Sequence, residues 1–205
     1  MTDYLERKVS KEELQVIFKR NIDRSIFIAD YPYFNNDGNR DFYVDFICKN
    51  INNSKYKLQE DAIELSITIH NFNLMYLDTI GKIVYSRRGW WIKLLCLDWL
   101  YNFTDDIPLQ TFYELNGYLT KSNNERLKIQ GILNLLLLDK NNKLIKKLLI
   151  LLHKSDDHIV FYRLINYENL TKIFTMTELK YVAEIIKTKT SLSSTQKSEI
   201  TERLC

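Results

Sequence analysis

The sequence predicts an all-α fold of stacked helix pairs, and three observations predict it. Apolar residues recur at helical spacing through most of the chain. No stretch of the 205 residues demands a sheet, and with only 5 Gly and 2 Pro the chain is neither disordered nor of low complexity. Most telling is an internal repeat. Leu119-Thr-Lys-Ser-Asn-Asn124 returns as Leu152-His-Lys-Ser-Asp-Asp157, an offset of 33 residues. At the same offset Phe112 answers Ile145, Leu115 answers Leu148, Leu127 answers Val160 and Ile132 answers Ile165. Two helices and their turn therefore repeat together. One such pair cannot bury its own apolar stripe, whereas stacked copies bury a continuous core, so the period implies an α-solenoid.

The elements follow in order. Ser10-Lys-Glu-Glu13 is a capping box, opening a first helix with Leu14, Ile17, Phe18 and Ile22 at helical spacing and an end near Asp30. Tyr31-Pro-Tyr-Phe-Asn-Asn-Asp-Gly38 gathers turn residues and reads as a loop carrying three rings. A second helix runs from about Asp41 to Ile51, with Phe42, Phe46 and Ile47 inward. A long helix from about Leu58 to Leu77 places Ala62, Ile63, Ile67, His70 and Leu74 on one face, although Leu65-Ser-Ile-Thr-Ile69 also alternates like a strand. Further helices are expected at 89–102, 108–119, 123–138, 141–153, 157–166, 168–174, 176–188 and 194–204. Ser122 with Glu125 and Thr175 with Glu178 match capping boxes, and Pro108 suits a first helical turn. Gly131, inside a leucine-rich helix, marks close packing. No linker divides the chain, which reads as a single repeat domain over 1–205, clearest at 105–166 and degenerate or capping towards the N-terminus.

Composition removes several function classes. The chain is 45% apolar and 27% charged with a net charge of +3, so it can form a packed core and is not of the disordered class. The charged start lacks the apolar segment of a secretory signal, which leads us to expect a cytoplasmic protein. The most apolar run, Ile132 to Leu138, contains Asn134 and falls short of a bilayer span. Cys48, Cys96 and Cys205 are too few and too scattered for a disulfide framework, and Cys48 and Cys96 sit in apolar patterns that suggest inert core. His153 and His158 do not share a helical face, and no Gly-rich phosphate loop or nucleophile elbow is present. No metal, cofactor or catalytic residue is therefore expected.

The repeat unit resembles the HEAT-type repeat: an apolar helix, a polar Lys-Ser-Asp-Asp turn, then a helix opening on an aliphatic residue. The usual Arg-bearing dipeptide appears only as Arg126-Leu127 in one copy, and as Ile159-Val160 with Arg163 downstream in the other. The resemblance implies a right-handed α-solenoid of degenerate HEAT-like helix pairs. In size, composition and lack of enzyme motifs, the chain is also similar in type to the immunity proteins of bacterial contact-dependent inhibition and related polymorphic toxin systems. That resemblance implies a non-enzymatic protein, monomeric when free, that binds and neutralises a cognate toxin domain, typically a nuclease.

Candidate partner contacts follow from residue chemistry. Arg87-Arg88-Gly89-Trp90 joins two cations to an indole lying off the apolar stripe, a composition typical of interface anchors, whereas Trp91 keeps step with Leu94, Leu95 and Trp99 and reads as core. Tyr31, Tyr33 and Phe34 supply loop rings. Asp105, Asp106, Asp156 and Asp157 stand at turns, where carboxylates also stabilise helix starts. The alternatives are an adaptor, or a nucleic-acid protein like the HEAT-like alkylpurine DNA glycosylases, for which Arg87, Arg88, Trp90, Trp91 and Asp98 would form the groove. Near-neutral charge argues against nucleic acid. Yet the charge is uneven, net −2 over residues 1–106 and +5 over 107–205. Lys143, Lys146, Lys147 and Lys154, with Lys140 nearby, read as the solvated side of an amphipathic helix.

Overall fold

The computed structural model describes residues 7–165, 167 and 170–204, and it is all-helical throughout them. The elements are α1 (Lys11–Ile17), α2 (Asn21–Asp30), α3 (Arg40–Asn50), α4 (Tyr56–Thr68), α5 (Leu74–Tyr85), α6 (Trp90–Asn102), α7 (Leu109–Leu119), α8 (Glu125–Leu138), α9 (Asn142–Lys154), α10 (His158–Ile165), α11 (Leu170–Ile173), α12 (Met176–Lys187) and α13 (Ser194–Leu204). Residues 166, 168 and 169, the side chain of Ile165, and Cys205 lie outside the described residues, and with them one pair of the expected repeat and two expected helix ends. No described helix is long and apolar enough to cross a membrane.

The helices fall into two compact units, Met1–Ile107 and Pro108–Cys205. The sequence reads as one domain because no Gly- or Ser-rich stretch marks that boundary. Helix starts reveal a period longer than the side chains show. The helices α2, α4, α6, α8, α10 and α13 begin at 21, 56, 90, 125, 158 and 194, intervals of 35, 34, 35, 33 and 36 residues. Their partners α3, α5, α7, α9 and α12 begin at 40, 74, 109, 142 and 176, intervals of 34, 35, 33 and 34. Leaving α1 and α11 aside, helices of the N-terminal third therefore start at the same spacing as those of the rest of the chain.

In the first unit α4 is central, packing on α2, α3 and α6, while α5 rests on α6 and α1 on α2. Two expected helices are each broken in two. Between α1 and α2 the chain turns at Phe18–Arg20, and buried Arg24 takes up the loose ends: Nη1 donates to Phe18 O at 2.9 Å and Nη2 to Asn21 Oδ1 at 2.8 Å. Between α4 and α5 the chain leaves the helix at His70, whose φ of +47° is left-handed. Here the His70 N–H donates to Ile67 O at 3.0 Å and the Asn71 N–H to Ser66 O at 2.8 Å, the paired bonds of a Schellman stop. His70 is thus exposed at a helix end, not inward on a continuous helix. On α3 the buried side chains are Tyr43 and Ile47, with Phe42 and Phe46 only partly covered.

In the second unit α8 packs on α7, α9, α10 and α11, while α12 packs on α9 and α13. The sequence repeat is a repeat of hydrogen bonds. Ser122 Oγ accepts from the Asn124 N–H at 3.1 Å, and 33 residues on Ser155 Oγ accepts from the Asp157 N–H at 3.2 Å. Asn124 then caps α8 through the Leu127 N–H, and Asp157 accepts from the Ile159 N–H at 3.0 Å. Asn124, not Ser122, is therefore the N-cap, because the serine is used one turn earlier. The boxes at Ser10 and Thr175 form as expected. A Cβ on Gly131 would stand 3.0 Å from Asn116 O, the close approach of α7 and α8 that this glycine permits. Beside it, Asn134 Nδ2 donates to Asn116 Oδ1 at 2.9 Å and Gln130 Nε2 to Asn134 Oδ1 at 3.1 Å, a buried polar ladder.

Candidate functional site

The sequence-predicted contact residues do not share one environment. Tyr31 and Phe34 are core: Tyr31 stacks on Phe27 at 4.3 Å, Phe34 lies edge-on to Phe27, Tyr31 and Tyr43, and Tyr31 Oη accepts from the Val9 N–H at 3.1 Å. Burial pushes the Tyr31 hydroxyl up to about 12. These two rings close the core under the loop, and of the three only Tyr33 is partly exposed. Asp105 and Asp106 are exposed in the turn after α6, and the following helix starts at Pro108 without a side-chain cap, so neither carboxylate plays the expected capping part. Asp156 and Asp157 are engaged within the second unit. Asp156 accepts from the Thr190 and Ser191 N–H groups at 2.9 and 3.1 Å and from the Thr190 hydroxyl, while Asp157 accepts from Arg126 Nε at 2.5 Å. They latch successive turns together.

The turn from Arg87 to Trp91 lies against α4 in the first unit. Arg87 is exposed at the turn before α6, and Arg88 Nη1 reaches back to Ser54 O at 3.2 Å, just before α4. Trp90 and Trp91 meet edge to face at 5.6 Å, and both are partly exposed. Trp91 is not core, because its indole Nε1 turns to donate to Glu60 Oε1 at 2.8 Å on α4. Leu94, Leu95 and Trp99 do form the buried stripe, with Trp99 Nε1 donating to Ser66 Oγ at 3.0 Å.

Along α4, Lys57, Glu60, Asp61 and Glu64 form a charged ridge against α2 and α6. Arg24 Nε donates to Asp61 Oδ2 at 2.6 Å with both side chains almost wholly buried, and Ser25 Oγ donates to the other oxygen at 3.0 Å. Lys57 lies 3.3 Å from Glu60 and 3.2 Å from Asp61. Glu64, one turn on, has neither hydrogen bond nor ion pair among the described residues. Burial, followed by the nearby Glu60 carboxylate, with Asp61 and Asp98 adding to it and Lys57 opposing, pushes Glu64 up to about 7. Such a group titrates near neutrality and favours any cation brought to it.

The ridge was visible in the sequence as three carboxylates within five residues, but its partners lie on other helices. Cys48 is exposed rather than inert core, its sulfur 3.1 Å from Tyr76 Oη, whereas Cys96 is buried and its thiol is pushed up by burial. Among the described residues no three His, Cys, Asp or Glu side chains gather as a metal site. No family model, curated protein or solved structure matches the chain, so the role of this face has to follow from its own chemistry.

Proposed function

We propose that the chain is a cytoplasmic immunity protein, monomeric when free, which binds and neutralises the cognate domain of a bacterial toxin, a nuclease being the favoured class. Its frame is a right-handed α-solenoid of degenerate HEAT-like helix pairs, a reading supported by the recurrent helix starts and the repeated turn bonds. The observation that carries the binding role is Glu64. A partly buried carboxylate without a partner, flanked by Glu60 and Asp98, is a net loss to the fold, and a lysine or arginine from a partner restores the balance. Trp91, bonded to Glu60 one turn away, and Trp90 edge-on to it supply apolar area of the kind that anchors interfaces. On this reading Arg87 and Arg88 form the rim, and Tyr31 and Phe34 act only by holding the fold.

The test is protection. A gene directly upstream should encode a toxin whose C-terminal domain kills when expressed alone and is tolerated when this chain is co-expressed. Glu64→Gln with Trp90→Ala should abolish protection and weaken the purified complex by roughly 100-fold, the scale of two central contacts. A chain that gives no protection, or a complex indifferent to both substitutions, would sink the reading or the face assigned to it respectively.

A further inference from the structure

The near-neutral charge of the whole chain conceals a local concentration of positive charge on α9. Its buried positions are Ile145, Leu148 and Leu152. The exposed positions are Asn142, Lys143, Lys146, Lys147, Ile150, His153 and Lys154. At 100° per residue Lys143, Lys146, Lys147 and Lys154 lie within one arc around Ile150, and the rise of 1.5 Å per residue spreads them over about 16 Å. No acidic residue interrupts the helix, and none of the four lysines has an ion-pair partner among the described residues. The adjoining α12 carries exposed Lys180 and Tyr181, and its Glu184 is paired with Lys187 at 2.6 Å.

From this surface we infer a second binding activity, separate from the acidic face of the first unit: the α9–α12 surface binds the phosphate backbone of a nucleic acid without regard to sequence. Lysines act as compact point charges with freely turning donors, which suits a row of phosphates. Arginine, the usual choice for bidentate recognition of carboxylate or phosphate, is absent from these exposed positions, so contact here is by point charge and not by a directed fork. Tyr181 on the adjoining helix is an exposed ring of the kind on which nucleic-acid bases stack. Affinity for such a row of phosphates is electrostatic. A nucleic-acid contact of this kind does not depend on the toxin-binding reading.

The experiment is anisotropy of a fluorescein-labelled duplex DNA titrated with the full chain at two salt concentrations. With about four phosphates engaged, affinity should fall roughly 100-fold between about 50 and 200 mM salt. The variant Lys143→Glu with Lys147→Glu should lose at least tenfold in affinity at low salt while its thermal melt is unchanged. A second variant, Lys19→Glu with Lys82→Glu, makes the same change in net charge on exposed lysines of the first unit and should bind as the parent does. Equal loss in both variants would show that net charge alone is being read, and overturn the inference. Displacement of the DNA by polyglutamate as readily as by unlabelled DNA would overturn it in favour of an acidic protein partner, as would binding that ignores salt.

Discussion

Arg24 on α2 and Asp61 on α4 form an ion pair of 2.6 Å with side chains only 1% and 0% exposed. The remaining guanidinium donors go to Phe18 O and Asn21 Oδ1, so one side chain both closes the break between α1 and α2 and fixes α2 on α4. Removing Asp61 leaves the buried guanidinium without a counter-charge, and removing Arg24 leaves the buried carboxylate only Ser25 and the partly exposed Lys57, both on its other oxygen. Arg24→Met should destabilise the protein by about 3–5 kcal/mol, whereas Arg24→Met with Asp61→Leu should recover much of that loss. Urea unfolding of the parent, both single variants and the double variant measures the difference, and a double variant worse than either single would contradict it.

Glu64 should make the first unit less stable as pH rises. Its carboxyl is pushed up from 4.5 to about 7, so between those values the folded state holds a proton that the unfolded state has released. The sign follows from linkage: stability is highest below the unfolded value, falls through the interval, and levels off above pH 7. Glu64→Gln should flatten this slope and raise stability at pH 8 by about 1–2 kcal/mol, a figure reduced for solvent at the exposed edge of the carboxyl. Chemical denaturation at pH 5 and pH 8 reads both effects.

Gly131→Ala should lower stability despite alanine's better helix propensity. The new methyl would stand 3.0 Å from Asn116 O and 3.4 Å from Thr120 Cγ2, and the carbonyl belongs to a helix that cannot yield alone. The expected loss is about 1–3 kcal/mol. Gly117→Ala, where a Cβ would meet nothing within 4 Å, is the control and should gain up to about 1 kcal/mol. Thermal melts of the two variants should move in opposite directions.

His70→Gly should stabilise the chain by about 0.5–1 kcal/mol, since glycine adopts the left-handed stop without a Cβ clash. The gain is tempered by loss of the His70 ring, 5.0 Å from Phe103. A melting temperature raised by a few degrees would agree with this balance, and a lowered one would show that the ring contact outweighs the backbone.

These residues also show what the sequence makes legible. The boxes at Ser10 and Thr175 are readable because each closes within four residues, and the 33-residue repeat because Leu, Lys and Ser recur in it. The stop at His70 is hidden because glycine, the usual sign of a left-handed turn, is absent. Arg24 and Asp61 stand 37 residues apart, so their pairing belongs to the packing of α2 on α4 and leaves no local trace. Tyr31 and Phe34 are misplaced as surface contacts because turn residues surround them, while the rings themselves fold back under the turn. Glu60 and Asp61 carry a partial signal: both fall among buried positions of an amphipathic helix, where acidic residues require partners.

The recurrence of the same serine-centred turn after 33 residues bears on how the molecule comes into being. Bonds that join one helix pair to the next, such as Trp99 to Ser66 at 33 residues and Arg126 to Asp157 at 31, span little more than one repeat. The entropy lost in closing such short loops is modest and much the same at each step. Within each unit a helix pair can close onto the one made before it while later residues are still being translated, so the ribosome's own direction of synthesis suffices to order the packing there.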